Sequence, residues 1–131
     1  MLARFYYKPD PGVPSTIYVK AHIAIADANG VPIYARYDAV WDDELESEYK
    51  EFDTADTHEL LIALLSPEKN AIGTVEHRSR KNTFKPETHM FEGSEFRLRV
   101  ELIGKHRNET VLNKALDFGM GLEPKPWMRL I

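Results

Sequence analysis

The sequence predicts an all-β fold, an antiparallel β-sandwich of about seven strands, and three observations support this prediction. Residues 16–27 and residues 96–102 each alternate apolar with polar side chains, which is the period of two expected for a strand with one buried face. Asn29 and Gly30 follow the first of these segments, where a hairpin or tight corner must form. The remaining apolar segments are short and separated by turn residues, and none of them predicts a reliable helix.

The first three predicted strands surround this turn. Residues 2–8 form a strand that ends at the connector 9–14, because the prolines of that connector have no N–H to donate to a ladder. Residues 16–27 form the second strand and residues 32–41 the third. Pro32 places the start of the third strand at a sheet edge or in a non-bonded position.

The middle of the chain predicts one central strand between less regular segments. Residues 42–55 are acidic and predict a loop, whose apolar residues recur at spacings that also suit a short helical turn. Residues 58–65 are almost continuously apolar and stop at a Ser-Pro pair, so a central strand is favoured over a helix. Residues 71–77 predict a weaker strand. Residues 78–93 are mostly polar and predict a long loop with a short edge strand at 83–85.

The last third of the chain predicts two strands and a tail. Residues 96–102 place their polar partners on one face, which indicates solvent on that side. Residues 110–118 follow after a polar turn and are interpreted as a strand, with a helix capped by Asn108 as the alternative. Gly119-Met120-Gly121 is interpreted as a flexible turn. The apolar tail 127–131 covers a sheet edge, packs into the core or continues into a further segment.

Length and composition predict one domain over residues 1–131 and exclude several functions. With no cysteine, the chain has no disulfide, no thiolate zinc site and no cysteine nucleophile. A net charge of −4 argues against a general attraction to nucleic acid or anionic lipid. No segment approaches the ~20 apolar residues of a membrane span, and the first residues do not resemble a signal peptide. The absence of cysteine and of a signal peptide slightly favours the cytoplasm, but many bacterial extracytoplasmic domains also lack cysteine, so the compartment stays open.

No catalytic residue, metal ligand or cofactor site is predicted. The closest approaches to a metal motif are His58-Glu59, Glu76-His77 and Glu87-Thr88-His89. Neighbouring residues on a strand point to opposite faces, so these pairs predict solvated histidines rather than chelation. A metal-dependent hydrolase is the alternative, and it requires that His58, His77 or His89 converge with an acidic residue. Serine elbows and phosphate-binding glycine loops are absent from the sequence.

A basic segment is the best positive functional signal in the sequence. The predicted ligand- or partner-binding residues are Arg78, Arg80, Lys81, Phe84 and Lys85. Cations beside an aromatic ring suit a phosphate backbone and a stacked base, so weak, salt-dependent nucleic-acid or phosphate binding is one hypothesis. The favoured hypothesis is that a protein partner contacts this segment or an open sheet edge.

The order of elements resembles the immunoglobulin-like accessory domains attached to many bacterial and archaeal proteins. The resemblance depends on generic features: strand 17–26, the turn Asn29-Gly30-Val31-Pro32, the apolar run 60–64 and the strand that begins at Gly93. The Cys…Trp…Cys spacing of antibody domains is missing. The resemblance implies a non-enzymatic interaction or accessory module that binds a protein partner or an attached parent domain, and it assigns no functional residue.

Overall fold

The computed structural model describes residues 1–42, 47–80 and 83–131, and its side-chain description leaves out residues 67, 77–80 and 83–88. The described residues form antiparallel sheets, with one 3-10 turn at Pro67–Lys69, so the predicted all-β class is confirmed. The strands are β1 Leu2–Tyr6, β2 Thr16–Asp27, β3 Pro32–Asp38, β4 Val40–Trp41, β5 Lys50–Asp53, β6 Thr57–Leu61, β7 Leu64–Ser66, β8 Ala71–Arg80, β9 Thr83–Glu92, β10 Glu95–His106, β11 Glu109–Gly121 and β12 Trp127–Leu130.

The large sheet is built around the two segments with the clearest alternation. Its order is β12-β11-β10-β2-β3, and β5 pairs with the first residues of β2 beside β3. On β2 the buried series runs from Ile17 to Ile25, and on β10 it runs from Phe96 to Leu102. Because β2 and β10 are hydrogen-bonded neighbours, the two apolar series form one continuous inner face.

The predicted hairpin forms at Asn29-Gly30 with the geometry of a three-residue loop. Gly30 N donates to Asp27 O at 3.0 Å and Asp27 N donates to Val31 O at 2.9 Å. Gly30 has a φ of +82°, which costs a residue without a Cβ little. The Asp27 carboxylate accepts further bonds from Asn29 N and Val31 N. Pro32 then begins β3 at the edge of the large sheet, as predicted.

A small sheet of order β1-β6-β4 covers the inner face of the large sheet. Trp41 is fully buried between the two, where its Nε1 donates to Val19 O at 3.1 Å and its ring meets Phe5 and Phe52 edge-on. The central position of residues 57–61 in this sheet agrees with the predicted central strand. This packing of two antiparallel sheets on one core is consistent with a sandwich.

Two predicted strands are each divided between sheets. The segment 32–41 breaks at Ala39, after which β4 leaves the large sheet and pairs with β6. The segment 58–65 breaks at Ile62 and Ala63, and β7 then joins a third sheet of order β7-β8-β9. Ala39, Ile62 and Ala63 are all buried, so the chain passes through the core at both corners.

The predicted loop over residues 78–93 is wrong, because β8 and β9 form an antiparallel hairpin along this segment. Its polar residues carry no apolar alternation, which is the main signal for a strand. Pro86 has no N–H for a ladder, but β9 is an edge strand, where a missing N–H is tolerated. The predicted loop 42–55 likewise contains β5, and the start of the alternative helical turn, residues 43–46, lies outside the described residues.

Residues 110–118 are strand, as predicted, but the strand continues through Gly119-Met120-Gly121, so the predicted turn there is wrong. The glycines serve close packing: a Cβ at Gly121 would clash with the Trp127 indole. The tail forms β12 on the outer side of β11, so it covers a sheet edge, and its Met128 packs against the core.

Candidate functional site

An apolar cavity lies between the edge strand of the small sheet, β1, and β11 of the large sheet. We call this cavity of about 390 Å³ the lateral groove. Its floor consists of core side chains, among them Trp41, Phe52 and Leu102. Phe5 and Tyr7 form the wall on the β1 side. The groove is therefore an apolar opening at the side of the two packed sheets, and its volume is in the ordinary range of binding sites, about 300–1,000 Å³.

The backbone of β11 is open along this groove. β12 covers only residues 118–121, and among the described residues no strand pairs with the outer side of residues 109–116. Ile131 N donates to Asp117 O at 2.8 Å on the outer side, whereas Leu122 N donates to Ser94 O on the β10 side. The alternation of an antiparallel ladder therefore directs the N–H and C=O groups of Asn113 and Ala115 outward, away from β10.

The inner face of β11 carries one charge in an otherwise apolar series. Phe118 and Met120 are buried, and Leu112 and Leu116 are half-buried and line the groove. Lys114 stands between the two leucines and also lines the groove. Its side chain is exposed and forms no ion pair within the described part of the chain.

The groove has a positive rim. Arg4 and Lys8 of the β1 side join Lys114, and the described residues that line the groove include no carboxylate. Arg4 is partly compensated by Glu59 at 3.5 Å, on an exposed surface where such a pair contributes little. The arrangement can accept an extended apolar chain and favours negative charge at its opening.

A second candidate site joins β3 to the base of the β8–β9 hairpin, and we call it the seam cluster: Tyr34, Tyr37, Glu76 and His89. Tyr34 Oη donates to Glu76 Oε2 at 2.7 Å, and His89 Nε2 lies 3.7 Å from Glu76 Oε1. The Tyr34 ring lies 5.5 Å from that of Tyr37 and 5.3 Å from that of His89. Glu76 is only 5% exposed, so its carboxylate depends on these partners.

The surroundings of Tyr37 in the seam cluster favour its neutral, protonated form. Burial raises the pKa of Tyr37 strongly, and the nearby Glu76 carboxylate and Tyr34 raise it further. The Tyr37 hydroxyl is buried and has no hydrogen-bond partner among the described residues. These features suit a structural contact rather than a proton-transfer site, because a group that stays protonated to high pH is a poor base at neutral pH.

A polar cavity of about 470 Å³ adjoins the seam cluster on the β2–β3 surface. His22 Nε2 lies 2.8 Å from Asp38 Oδ1 there. Burial lowers the pKa of His22, and the Asp38 carboxylate opposes that shift. Burial also raises the pKa of Glu48, and Asp38 adds to the rise. This carboxylate pair and histidine form an ordinary surface network with partial burial.

The predicted partner-binding residues lie on the hairpin arms rather than in a loop. Arg78 and Arg80 belong to β8, and Phe84 and Lys85 belong to β9. The register places Arg78 opposite Lys85. Lys81 lies outside the described residues.

The described histidines make separate contacts and do not converge on one metal centre. Among the described residues no group of three or more His, Asp or Glu side chains could hold a metal ion. His58 packs on Phe52 and lies 3.9 Å from Asp56, whereas His89 packs on Tyr34 in the seam cluster. The hairpin brings Glu76 and His89 together across two strands. Sequence reasoning considered each only with its chain neighbours, and the register of β8 and β9 was the missing signal.

Comparison with protein-family models, with curated proteins and with solved structures finds no match for this chain. In the described part of the chain, no helix has the length and apolar character to cross a membrane.

Proposed function

We propose that this chain is a non-enzymatic interaction module, of the immunoglobulin-like accessory type, that binds a protein partner by strand addition at the open edge of β11. The observation that carries the proposal is the outward backbone of Asn113 and Ala115 beside the lateral groove. An added strand hydrogen-bonds to such an edge, and its alternate side chains enter the neighbouring groove.

The expected energetics are those of a modest, specific interaction. Each new backbone hydrogen bond contributes about 0.5–1.5 kcal/mol net. Burial of the half-exposed leucines and aromatic residues of the groove adds about 25 cal/mol for each Å² of apolar surface removed from water. Since ordering a partner strand opposes both terms, the apolar groove is needed beside the backbone pairing.

A peptide-display selection on the intact chain tests the proposal, with Ala115→Pro as the counter-selecting variant. Proline at this position removes an outward N–H and leaves the bonds to β10 in place. The matched control, Ala115→Val, keeps the N–H. We expect enriched peptides to bind the native chain and Ala115→Val, and to lose binding to Ala115→Pro. If no peptide is enriched, or if Ala115→Pro binds the enriched peptides equally well, strand addition at this edge is refuted.

Phosphate-backbone binding by the β8–β9 hairpin is a second candidate, supported by the register that sets Arg78 opposite Lys85. Cations on two paired strands could follow a nucleic-acid backbone. A labelled single-stranded oligonucleotide at low salt should then bind, and the double variant Arg80→Ala, Lys81→Ala should weaken binding and reduce its salt dependence. The absence of any shift at low salt would exclude this function.

A further inference from the structure

The open edge of β11 also specifies which strand it accepts, given the proposed function on which this inference depends. Residues directly opposite each other on paired strands place their side chains on the same face. A strand added to β11 therefore directs into the lateral groove the side chains that lie opposite Leu112, Lys114 and Leu116. The side chains opposite Asn113 and Ala115 point to the outer, exposed face.

Two of these inward positions favour apolar side chains. Leu112 and Leu116 are half-buried and pack against the core, so a neighbouring apolar side chain would complete their burial. Phe5 and Tyr7 form the opposite wall of the same space. A polar side chain here would lose water without gaining a hydrogen bond from these apolar surfaces.

The position between them favours a carboxylate. Lys114 lies in the centre of the open segment, and the rim cations Arg4 and Lys8 add positive charge on the far wall. Because the described lining contains no carboxylate, an incoming Asp or Glu would supply the missing counter-charge. A charge-assisted bond to the lysine ammonium is stronger than a neutral one, and partial removal of water strengthens it further.

Lys114 also discriminates against a second copy of this chain. If two β11 edges paired antiparallel about their centres, Leu112 would lie opposite Leu116 and Lys114 opposite the other Lys114. The apolar pairs would match, but the like charges would repel each other at the middle of the groove. An inward-pointing charge on an edge strand is a recognised protection against self-pairing, and it leaves acidic strands acceptable.

We infer that the lateral groove accepts an extended segment of a partner protein with the pattern apolar-x-acidic-x-apolar, whose carboxylate lies opposite Lys114. The x positions face solvent and are unrestricted. The partner therefore offers an unpaired strand or extended tail in which one acidic residue lies between two apolar residues on the same face.

A charge-exchange experiment tests this inference with three labelled seven-residue peptides that alternate threonine and valine. The central inward residue is Glu, Gln or Lys. Fluorescence anisotropy measures their binding to the native chain and to two variants, Lys114→Glu in the groove and Lys125→Glu. Lys125 is exposed and does not line the groove, so Lys125→Glu is the matched control: it changes the net charge as Lys114→Glu does, but outside the groove.

For the native chain we expect the Glu peptide to bind about tenfold more tightly than the Lys peptide, a difference typical of one partly desolvated charge pair. Lys114→Glu should reverse the preference, and Lys125→Glu should keep it. If the preference survives Lys114→Glu, or if both variants change it equally, the inferred pattern is wrong although strand addition stands. If none of the three peptides binds the native chain, while Ala115→Pro and the native chain also behave alike in the display selection, the proposed function itself fails.

Discussion

At the seam cluster, the large sheet meets the β8–β9 hairpin through polar groups, above all the half-buried Tyr34 and the buried Glu76. At the lateral groove, the same sheet faces β1 across an apolar gap, and among the described residues no backbone hydrogen bond joins β1 to β11. One junction is closed by specific hydrogen bonds, and the other has outward backbone groups and half-buried leucines. The seam cluster is therefore satisfied within the chain, and the contrast with the groove is what the proposed strand addition depends on.

β11 repeats this contrast within a single strand, because residues 118–121 are covered by β12 and residues 109–116 are not. Proline substitutions in the two halves of β11 should separate them clearly. Gly119→Pro removes an N–H that the ladder alternation directs to Arg129, and should lower the free energy of unfolding by about 1–3 kcal/mol. Ala115→Pro, at the same kind of position in the open half, should cost less than Gly119→Pro, because it restricts φ without removing a ladder hydrogen bond. Urea unfolding measures both, and equal losses would show that the two halves are covered alike.

The seam cluster should be more sensitive to loss of charge than the groove. Glu76→Ala removes the acceptor of the Tyr34 hydroxyl and the partner of His89, and should lower stability by about 1.5–3 kcal/mol. Hydrogen exchange should then rise in β8 and β9 before it rises in β10. Lys114→Ala, the matched loss of one charge in the groove, should change stability by less than about 0.5 kcal/mol. A uniform rise in exchange after Glu76→Ala would contradict a separate role for the seam.

Alkaline pH should weaken the seam cluster selectively. The pKa of Tyr37 is raised in the folded chain, so above the ordinary tyrosine value near 10 the unfolded state loses its proton first. Stability should therefore fall as pH rises above about 10, by about 1.4 kcal/mol for each pH unit until the folded group also titrates. Tyr37→Phe removes this dependence and, at pH 7, should cost little, because the hydroxyl has no hydrogen-bond partner among the described residues. Urea unfolding of both proteins from pH 8 to pH 11 checks the difference, and parallel curves would contradict it.

The sequence predicts the covered parts of the molecule better than the open ones, for a physical reason. Alternation on β2 and β10 exists because one face is buried, and the bounds of β2 agree with the prediction. Residues 78–93 of the β8–β9 hairpin carry no such pattern, so the sequence predicts a long loop there with a short edge strand at 83–85, although it does predict a strand over 71–77. The described residues form twelve strands where about seven were expected, because two predicted strands are each divided between sheets, β5 lies in a predicted loop and the tail forms β12.

The lateral groove was beyond sequence reasoning because its two walls are far apart in the chain and are not paired with each other. One signal for it was nevertheless present. Lys114 interrupts the series Leu112, Leu116, Phe118 and Met120 at a period of two, which marks an inward charge on a strand. The sequence instead predicts binding residues in the basic segment at 78–85, which stands out by its composition, and the side chains of that segment lie outside the described part of the structure.

Lys114→Leu tests the contrast between the groove and the seam through association rather than through stability. Leucine completes the apolar series on the inner face of β11, so stability should change by less than about 1 kcal/mol. The self-repulsion at the centre of the edge disappears at the same time, and two chains can pair through their open strands. Sedimentation velocity at increasing concentration should show dimers for Lys114→Leu, while Lys125→Leu, the matched loss of an exposed lysine, should sediment as the native chain does. The double variant Lys114→Leu, Ala115→Pro tests where the chains meet, because proline removes the backbone donor without altering the apolar face. If the double variant still forms dimers, the contact lies elsewhere than on the β11 edge.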